Sequence, residues 1–419
     1  MSADLGPRLR ALRRQSGGVA DSLTTPAPSD PTLIALQRLR ARLPRPSRCE
    51  QRSLADAGDE AALASYLGGR VIDAGLLLVE QQVELPGLPR AAPDLLAEAA
   101  ARLGGDDPGS DSLWLLDTET TGLAGGTGTL AFLVGLARWR DGVLGVRQYL
   151  ISAFAGEARM LCQVTAALGA APLVITYNGR SFDAPLLAAR SRLARVGDPL
   201  AGARHLDLLP LTRRAFMGSW PDCRLATVEQ RLLGLRRLDD LPGWQAPRAW
   251  LEWVRLARPG ELRRVLTHNL QDLASLARLL PALAAVYSGQ AHPSADPRGV
   301  AAWLARRDGL AAARDHLLRH RSRLCPAGRA ELARLARRSG DWPLAVELWR
   351  ELASLGQAEA LESLAKYAEH RGGDPAAALA HTEALMRLQG DTPALRRRAR
   401  RLHRKLARRQ ALSRPDPRR

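Results

Sequence analysis

"LLDTETTGLAGGTGT", residues 115–129, runs an apolar stretch into two carboxylates separated by one threonine, followed by a glycine-rich loop. The alternation of a β-strand sends Asp117 and Glu119 to the same side, where their charges repel unless something positive lies between them. A metal ion is the simplest such group. The end of an apolar strand is also where open α/β sheets place their ligands. "GLAGGTGT" lacks the Gly-Lys-Ser/Thr ending of a nucleotide-triphosphate loop, and we read it as a tight turn into the next strand.

Around this stretch, residues 106–287 alternate strands and helices. "SLWLLDTE", "TLAFLVGLARWRD", "GVLGVRQYLIS", "PLVITYN" and "RHLDLLPL" read as five strands, the second and third joined by a turn at Asp141-Gly142. Helices are expected across "EARMLCQVTAALG", "FDAPLLAARSRLARVG" and the long apolar-periodic run ending in "LARLLPALAAVY". The prediction is an α/β domain with a mixed five-stranded sheet and flanking helices. Residues 1–60, rich in Arg, Pro, Ser and Gly, read as a loosely ordered basic arm. Residues 61–105 hold a short strand pair and a helix leading into the core. A linker is expected over 288–299. Over 300–395 the chain reads as all-α. "GDWPLAVELWREL" from Gly340 and "GDPAAALAHTEAL" from Gly373 repeat 33 residues apart, as helix hairpins of the tetratricopeptide (TPR) kind do. Residues 396–419 form a basic tail, read either as a solvated helix or as a phosphate-contacting segment.

At 419 residues with 46% hydrophobic content, the chain exceeds one ordinary core and is not disordered as a whole. The net charge of +18 points to a polyanionic partner, nucleic acid above all, although base composition explains an arginine-heavy chain equally well. Cys49, Cys162, Cys223 and Cys325 lie far apart with no C-x-x-C pair, which suggests neither zinc nor a disulfide framework. No stretch approaches the roughly 18 apolar residues of a membrane span. We expect a cytoplasmic protein with no membrane contact.

Two further segments carry chemistry. In "ITYNGRSFDAPLL", Asn178 closes a strand and Phe182-Asp183 opens a helix, setting an aromatic surface beside a carboxylate, an arrangement suited to stacking a base. In "THNLQDLASLARLL", His268 and Asp272 are four apart on one helix and share a face, supplying a metal ligand and a group able to handle protons near neutrality. Each has a bland alternative, a helix cap for Asp183 and an exposed hydrogen bond for His268 with Asp272. Asp207 reads as a structural cap, Arg180 as a solvated loop arginine, and Trp342 and Trp349 as core of the helical repeat.

Together, "DTETTG", "NGRSFD" and "HNLQD" resemble, in order and context, the three motifs of the DEDD superfamily of 3′ to 5′ exonucleases, whose fold is ribonuclease H-like. Within it the chain looks most like the bacterial YprB-type ribonuclease H-like domain, over residues 111–286. The resemblance implies that Asp117, Glu119, Asp183 and Asp272 bind two divalent cations, Mg²⁺ or Mn²⁺, about 4 Å apart across a scissile phosphate. Hard oxygen ligands suit these ions. It further implies that His268 orients or deprotonates the attacking water, and that Thr120, Gly122, Asn178 and Phe182 contact substrate. One departure stands out. The superfamily places a Tyr four positions, or a His five, before the last Asp, whereas His268 precedes Asp272 by four. The expected function is metal-dependent hydrolysis of DNA or RNA. The alternatives are an inactive nucleic-acid-binding protein and an interaction scaffold whose TPR-like helices bind a protein partner.

Overall fold

Alternating β-branched and leucine-rich runs bounded by Gly and Asp turns build a single sheet. The computed structural model describes residues 60–88, 92–104, 112–122, 128–237 and 240–412; the basic arm expected over 1–60 lies outside them apart from Glu60, as does the turn at 123–127. The strands are β1 (Arg70–Asp73), β2 (Leu76–Val83), β3 (Leu113–Thr120), β4 (Ala131–Arg140), β5 (Val143–Ile151), β6 (Leu173–Thr176) and β7 (Arg204–Asp207), in the order β1-β2-β5-β4-β3-β6-β7. β6 and β7 run parallel to β3; the other pairings are antiparallel. The five expected strands are all present in a mixed sheet. The strand pair expected separately within 61–105 joins it, because β2 pairs with β5 from Leu76↔Ile151 to Val83↔Leu144, so the sheet has seven strands rather than five. The β4–β5 hairpin turns at Asp141 (φ +52°) and Gly142 (φ +83°), the left-handed pair that a two-residue hairpin loop requires.

Helices cover the sheet: α1 (Glu60–Leu67), α2 (Ala92–Arg102), α3 (Glu157–Leu168), α4 (Asp183–Ala194), α5 (Leu208–Phe216), α6 (Ala246–Leu256) and α7 (Leu262–Tyr287). α6 is pinned by its tryptophans. The indole N–H of Trp250 donates to the Ile151 carbonyl at 2.7 Å and that of Trp253 to Ser152 at 2.9 Å, while the Trp250 ring stacks on Phe132 at 5.4 Å. α7, 26 residues long, lies directly on the sheet at Gly135 of β4. A Cβ there would come within 2.1 Å of the Asn269 side-chain oxygen, so only glycine admits this approach.

Packing divides the chain between Gln290 and Ala291. The second unit is helical: α8 (Pro297–Arg307), α9 (Leu310–Arg319), α10 (Pro326–Arg338), α11 (Trp342–Ser354), α12 (Ala358–His370), α13 (Pro375–Gln389) and α14 (Pro393–Leu412), each packed on its successor. The two Gly-Asp repeats have a local cause. Each Gly is left-handed, and Asp341 and Asp374 cap α11 and α13 through backbone amides of the first turn, with Pro following. Trp349 is buried and Trp342 stacks on Tyr367 at 5.6 Å, as core of the repeat. The stretch expected as a basic tail is, as far as 412, the body of α14, with Leu402 fully buried. No helix among the described residues is long and apolar enough to cross a membrane.

Gly135→Ala is expected to cost about 1–3 kcal/mol, because the methyl overlaps Asn269. Thermal melting within about 1 °C of the parent would show that α7 is not held so closely.

Candidate active site

The first of the three acidic segments is the C-terminal half of β3, which carries Asp117 and Glu119 toward α7. The second is the first turn of α4, which supplies Asp183; the Thr118 hydroxyl donates to its Oδ1, tying α4 to β3. Asp183 is thus the first helical residue and not a cap. The third is α7, one turn of which carries His268 and Asp272. His268 Nε2 lies 3.9 Å from Glu119 Oε1 and 3.8 Å from Asp272 Oδ2. The expected acids and histidine therefore gather at one end of the sheet, and Glu119 and Asp183 are only 8% and 5% exposed.

Several residues with no sequence signal hold this group in place. Asn269 Nδ2 donates to Asp117 Oδ2 at 2.8 Å, and its Oδ1 accepts at 2.9 Å from Gln148 Nε2, which is fully buried on β5. Asp240 Oδ1 lies 2.7 Å from His268 Nδ1 and fixes the ring. Arg237 forks between three carboxylates: Nε donates to Glu229 Oε2 at 2.7 Å, Nη1 to Asp240 Oδ2 at 3.1 Å, and Nη2 to Glu229 Oε1 and Asp272 Oδ1. Its Nη1 also lies 3.3 Å from His268 Nδ1. With both flanked by Asp240, that contact leaves Asp240 as the acceptor for each. Glu229 and Arg237 enter from a π-helical turn, Glu229–Leu233, and the segment after Gly234 (φ +69°).

The expected substrate residues stand differently. Thr120 spends its hydroxyl on the Gly122 carbonyl at 2.9 Å, closing the turn after β3. Asn178 is left-handed (φ +71°), and its backbone N–H donates to Asp207 Oδ1 at 2.8 Å; the Arg180 N–H donates to Oδ2 at 3.1 Å. Asp207 also caps α5 through Leu209 N, so it is the structural cap that its position suggested. Phe182, half-buried, immediately precedes Asp183. Arg180 is exposed, as a loop arginine is expected to be, and donates to the His205 carbonyl.

The electrostatics follow from burial. Desolvation first, then the charges of Asp272, Asp183 and Glu119, hold Asp117 well above the usual carboxylate range. Burial pushes Glu119 up to about 8, His268 opposing and Asp272 and Asp183 reinforcing it. Burial likewise pushes Asp183 up to about 6 against its hydrogen bonds from Thr118 and the backbone. For His268 burial acts downward, but the Asp272 charge, the Asp240 hydrogen bond and the Glu119 charge outweigh it and push the imidazolium up to about 10. This cluster of oxygen donors, short of positive charge, has the chemistry of a hard divalent cation. Among the described residues, no three such groups converge into a ready cage. One oxygen each of Asp117, Asp183 and Asp272 is taken by Asn269, Thr118 and Arg237, which leaves the second oxygen of each carboxylate.

Residues 114–284 match the family model described as the RNase_H superfamily, so this domain is ribonuclease H-like, as its sheet is. The chain is 31% identical over 276 residues to a protein of Bacillus subtilis (strain 168) named uncharacterized protein YprB, covering 62% of this chain and 66% of that relative.

Glu119 and Asp183 bind more protons folded than unfolded between their ordinary and raised values, and the His268 contribution is lost as pH rises toward 10, so all three act in one direction. In EDTA, melting temperature is expected to fall from pH 5 to pH 8.5. Asp117→Asn/Glu119→Gln should flatten that slope, and Mn²⁺ at pH 8 should restore the parent alone. A melting temperature that rises across this range would contradict the cluster as described. Arg237→Gln strands Glu229, 2% exposed, without its cation and is expected to cost about 3–5 kcal/mol by denaturant titration. A loss under about 1 kcal/mol would refute the clasp.

Proposed function

We propose that this protein is a divalent-cation-dependent nuclease that hydrolyses phosphodiester bonds of nucleic acid from the 3′ end. The observation that carries the reading is the convergence of Asp117, Glu119, Asp183 and Asp272, from three distant segments, into one buried cluster whose mutual repulsion calls for added positive charge. Asp117, Glu119, Asp183 and Asp272 would hold the cation or cation pair. Bound there, it supplies Lewis-acid charge to a scissile phosphate.

The chain's own groups do the rest. Asn269, fixed by Gln148, orients Asp117. Asp240 keeps the Nδ1 proton of His268, which leaves Nε2 facing Glu119 and Asp272 to position a water and handle its proton. Cation charge in the cluster would pull His268 down from its raised value toward one useful near neutrality. Phe182 and the left-handed turn at Asn178 would bear on the terminal nucleotide. The cysteines Cys162, Cys223 and Cys325 are free thiols, in keeping with a cytoplasmic enzyme. The helical unit, as a TPR-like platform, would position substrate or a protein partner.

One observation favours a second reading, a nucleic-acid-binding protein without hydrolysis: Arg237 already supplies a permanent cation to Asp272.

With 5′-labelled single-stranded DNA and RNA, Mn²⁺ is expected to give shortening from the 3′ end, abolished by EDTA and at least 10³-fold slower in Asp117→Asn/Glu119→Gln. Binding of either strand with no cleavage under Mn²⁺ or Mg²⁺ would decide for the second reading. His268→Ala should lower turnover far more than calorimetric Mn²⁺ affinity.

A further inference from the structure

The last helix, α14, carries no acidic residue over its whole length. Apart from Arg396, paired with Asp391 at 3.3 Å, and Arg409, its arginines and lysine separate into two groups. Glu369 on α12, with its side chain fully covered, draws in Arg401 at 2.8 Å, Lys405 at 2.9 Å and Arg398 at 3.8 Å. Hydrogen bonds, from Arg401 first and then Lys405, hold Glu369 well below the usual carboxylate range. These three cations anchor the helix and are spent on it. Arg397, Arg400, Arg404 and Arg408 are different. All four are exposed, and among the described residues none of them has an ion pair.

Their spacing of three, four and four residues places them in a sector of roughly 80° at 3.6 residues per turn, along roughly 16 Å of axis. The buried side of the helix, Leu395 and Leu402, lies on the opposite face of the same wheel. The stripe therefore points away from the helical unit, into solvent, as a row of fixed cations with no internal partner.

We propose that this face of α14 is a phosphate-backbone contact for nucleic acid, independent of sequence. The inference rests on the nucleic-acid reading of the ribonuclease H-like domain. Charge complementarity selects the occupant. A polyanion gains affinity from such a row by releasing condensed counterions, and guanidinium groups match phosphate oxygens in fork geometry. A membrane surface fits poorly because the apolar side that would enter a bilayer is already packed against the protein. A folded acidic protein fits poorly because, among the described residues, no exposed large hydrophobic side chain lies on α14 to serve as an anchor.

The test compares the full chain with Arg397→Gln/Arg400→Gln/Arg404→Gln/Arg408→Gln and with the corresponding four-Lys variant. Fluorescence anisotropy in EDTA would follow binding of a labelled 30-mer of oligo(dT) and of a 30-base-pair duplex across a KCl series. Four lost contacts should reduce the slope of log K against log salt by about 2.8 for the single strand and about 3.6 for the duplex, with affinity down at least tenfold at low salt. The Lys variant should keep most of the slope, and all three proteins should melt together. Equal slopes and affinities in the parent and the Gln variant would overturn the proposal. So would a parent that binds phosphatidylserine vesicles but neither oligonucleotide. Mn²⁺-dependent hydrolysis of bis(p-nitrophenyl) phosphate, an ester with no run of backbone phosphates for the stripe to contact, is read in parallel. It should be equal in parent and Gln variant; its absence from both would count against the nuclease reading alone, since the salt slopes are measured without metal.

Discussion

Like charge buried against like charge is the condition that the rest of the domain is arranged around. Asp117, Glu119, Asp183 and Asp272 share one end of the sheet, and Asp240 and Glu229 close in behind them. Taking ionised carboxylates out of water is costly unless each is paired or protonated. The groups that answer this are few: one buried guanidinium, one imidazolium and the neutral donors Thr118 and Asn269. Arg237 serves the half of the cluster formed by Glu229, Asp240 and Asp272. The other half, Asp117, Glu119 and Asp183, has hydrogen bonds and, at Glu119, the His268 imidazole at 3.9 Å, but no contact from Arg237; burial drives all three upward, as it does Glu229.

The sheet explains why the cluster forms where it does. β3 sits between an antiparallel neighbour, β4, and a parallel one, β6, so the chain leaves its C-terminal end on one side and returns through α4 on the other. Ligand crevices of open α/β sheets lie at such a change of direction. α7 then closes the crevice, and it can lie close enough only because β4 has glycine at 135. The contact also brings Gln148 and Asn269 together beneath Asp117. Asp207 works from the far side, gathering the amides of Asn178 and Arg180 and so fixing the turn that leads into Asp183. A backbone fold and a charge cluster are thereby coupled through a handful of side-chain amides and carboxylates.

Much of this was legible in the sequence, for identifiable reasons. Asp117 and Glu119 end an apolar strand, Asp183 opens a helix, and His268 and Asp272 share a helical face, so period and chemistry point the same way at each position. The strand pair β1–β2 was recognisable as strands, but its place on the sheet was not. That place depends on pairing with β5 across some 70 residues, which local periodicity does not encode. Asp240 and Arg237 were invisible because they come from an irregular segment with no period at all. Thr120 was read from its place beside Glu119; the register of β3 against β4 shifts between these two residues, and the Thr120 hydroxyl donates to the Gly122 carbonyl, a pairing that local periodicity does not encode.

Arginine was the least legible residue of all. With 61 basic side chains, nearly all Arg, its presence at any one position says little about function. What separates one arginine from another is the carboxylate that faces it, or the absence of one. Arg237 is enclosed by three acids, and its charge is consumed within the fold. Arg401 and Lys405 are consumed in the same way by Glu369, which is how a helix as basic as α14 packs at all. Four arginines of that helix keep their charge unspent toward solvent, on the side opposite its buried leucines. A helix needs only its apolar side and one or two ion pairs to pack; it does not need a second, unpaired cationic face. Base composition accounts for many arginines, but it has no means of distinguishing the two sides of a helix.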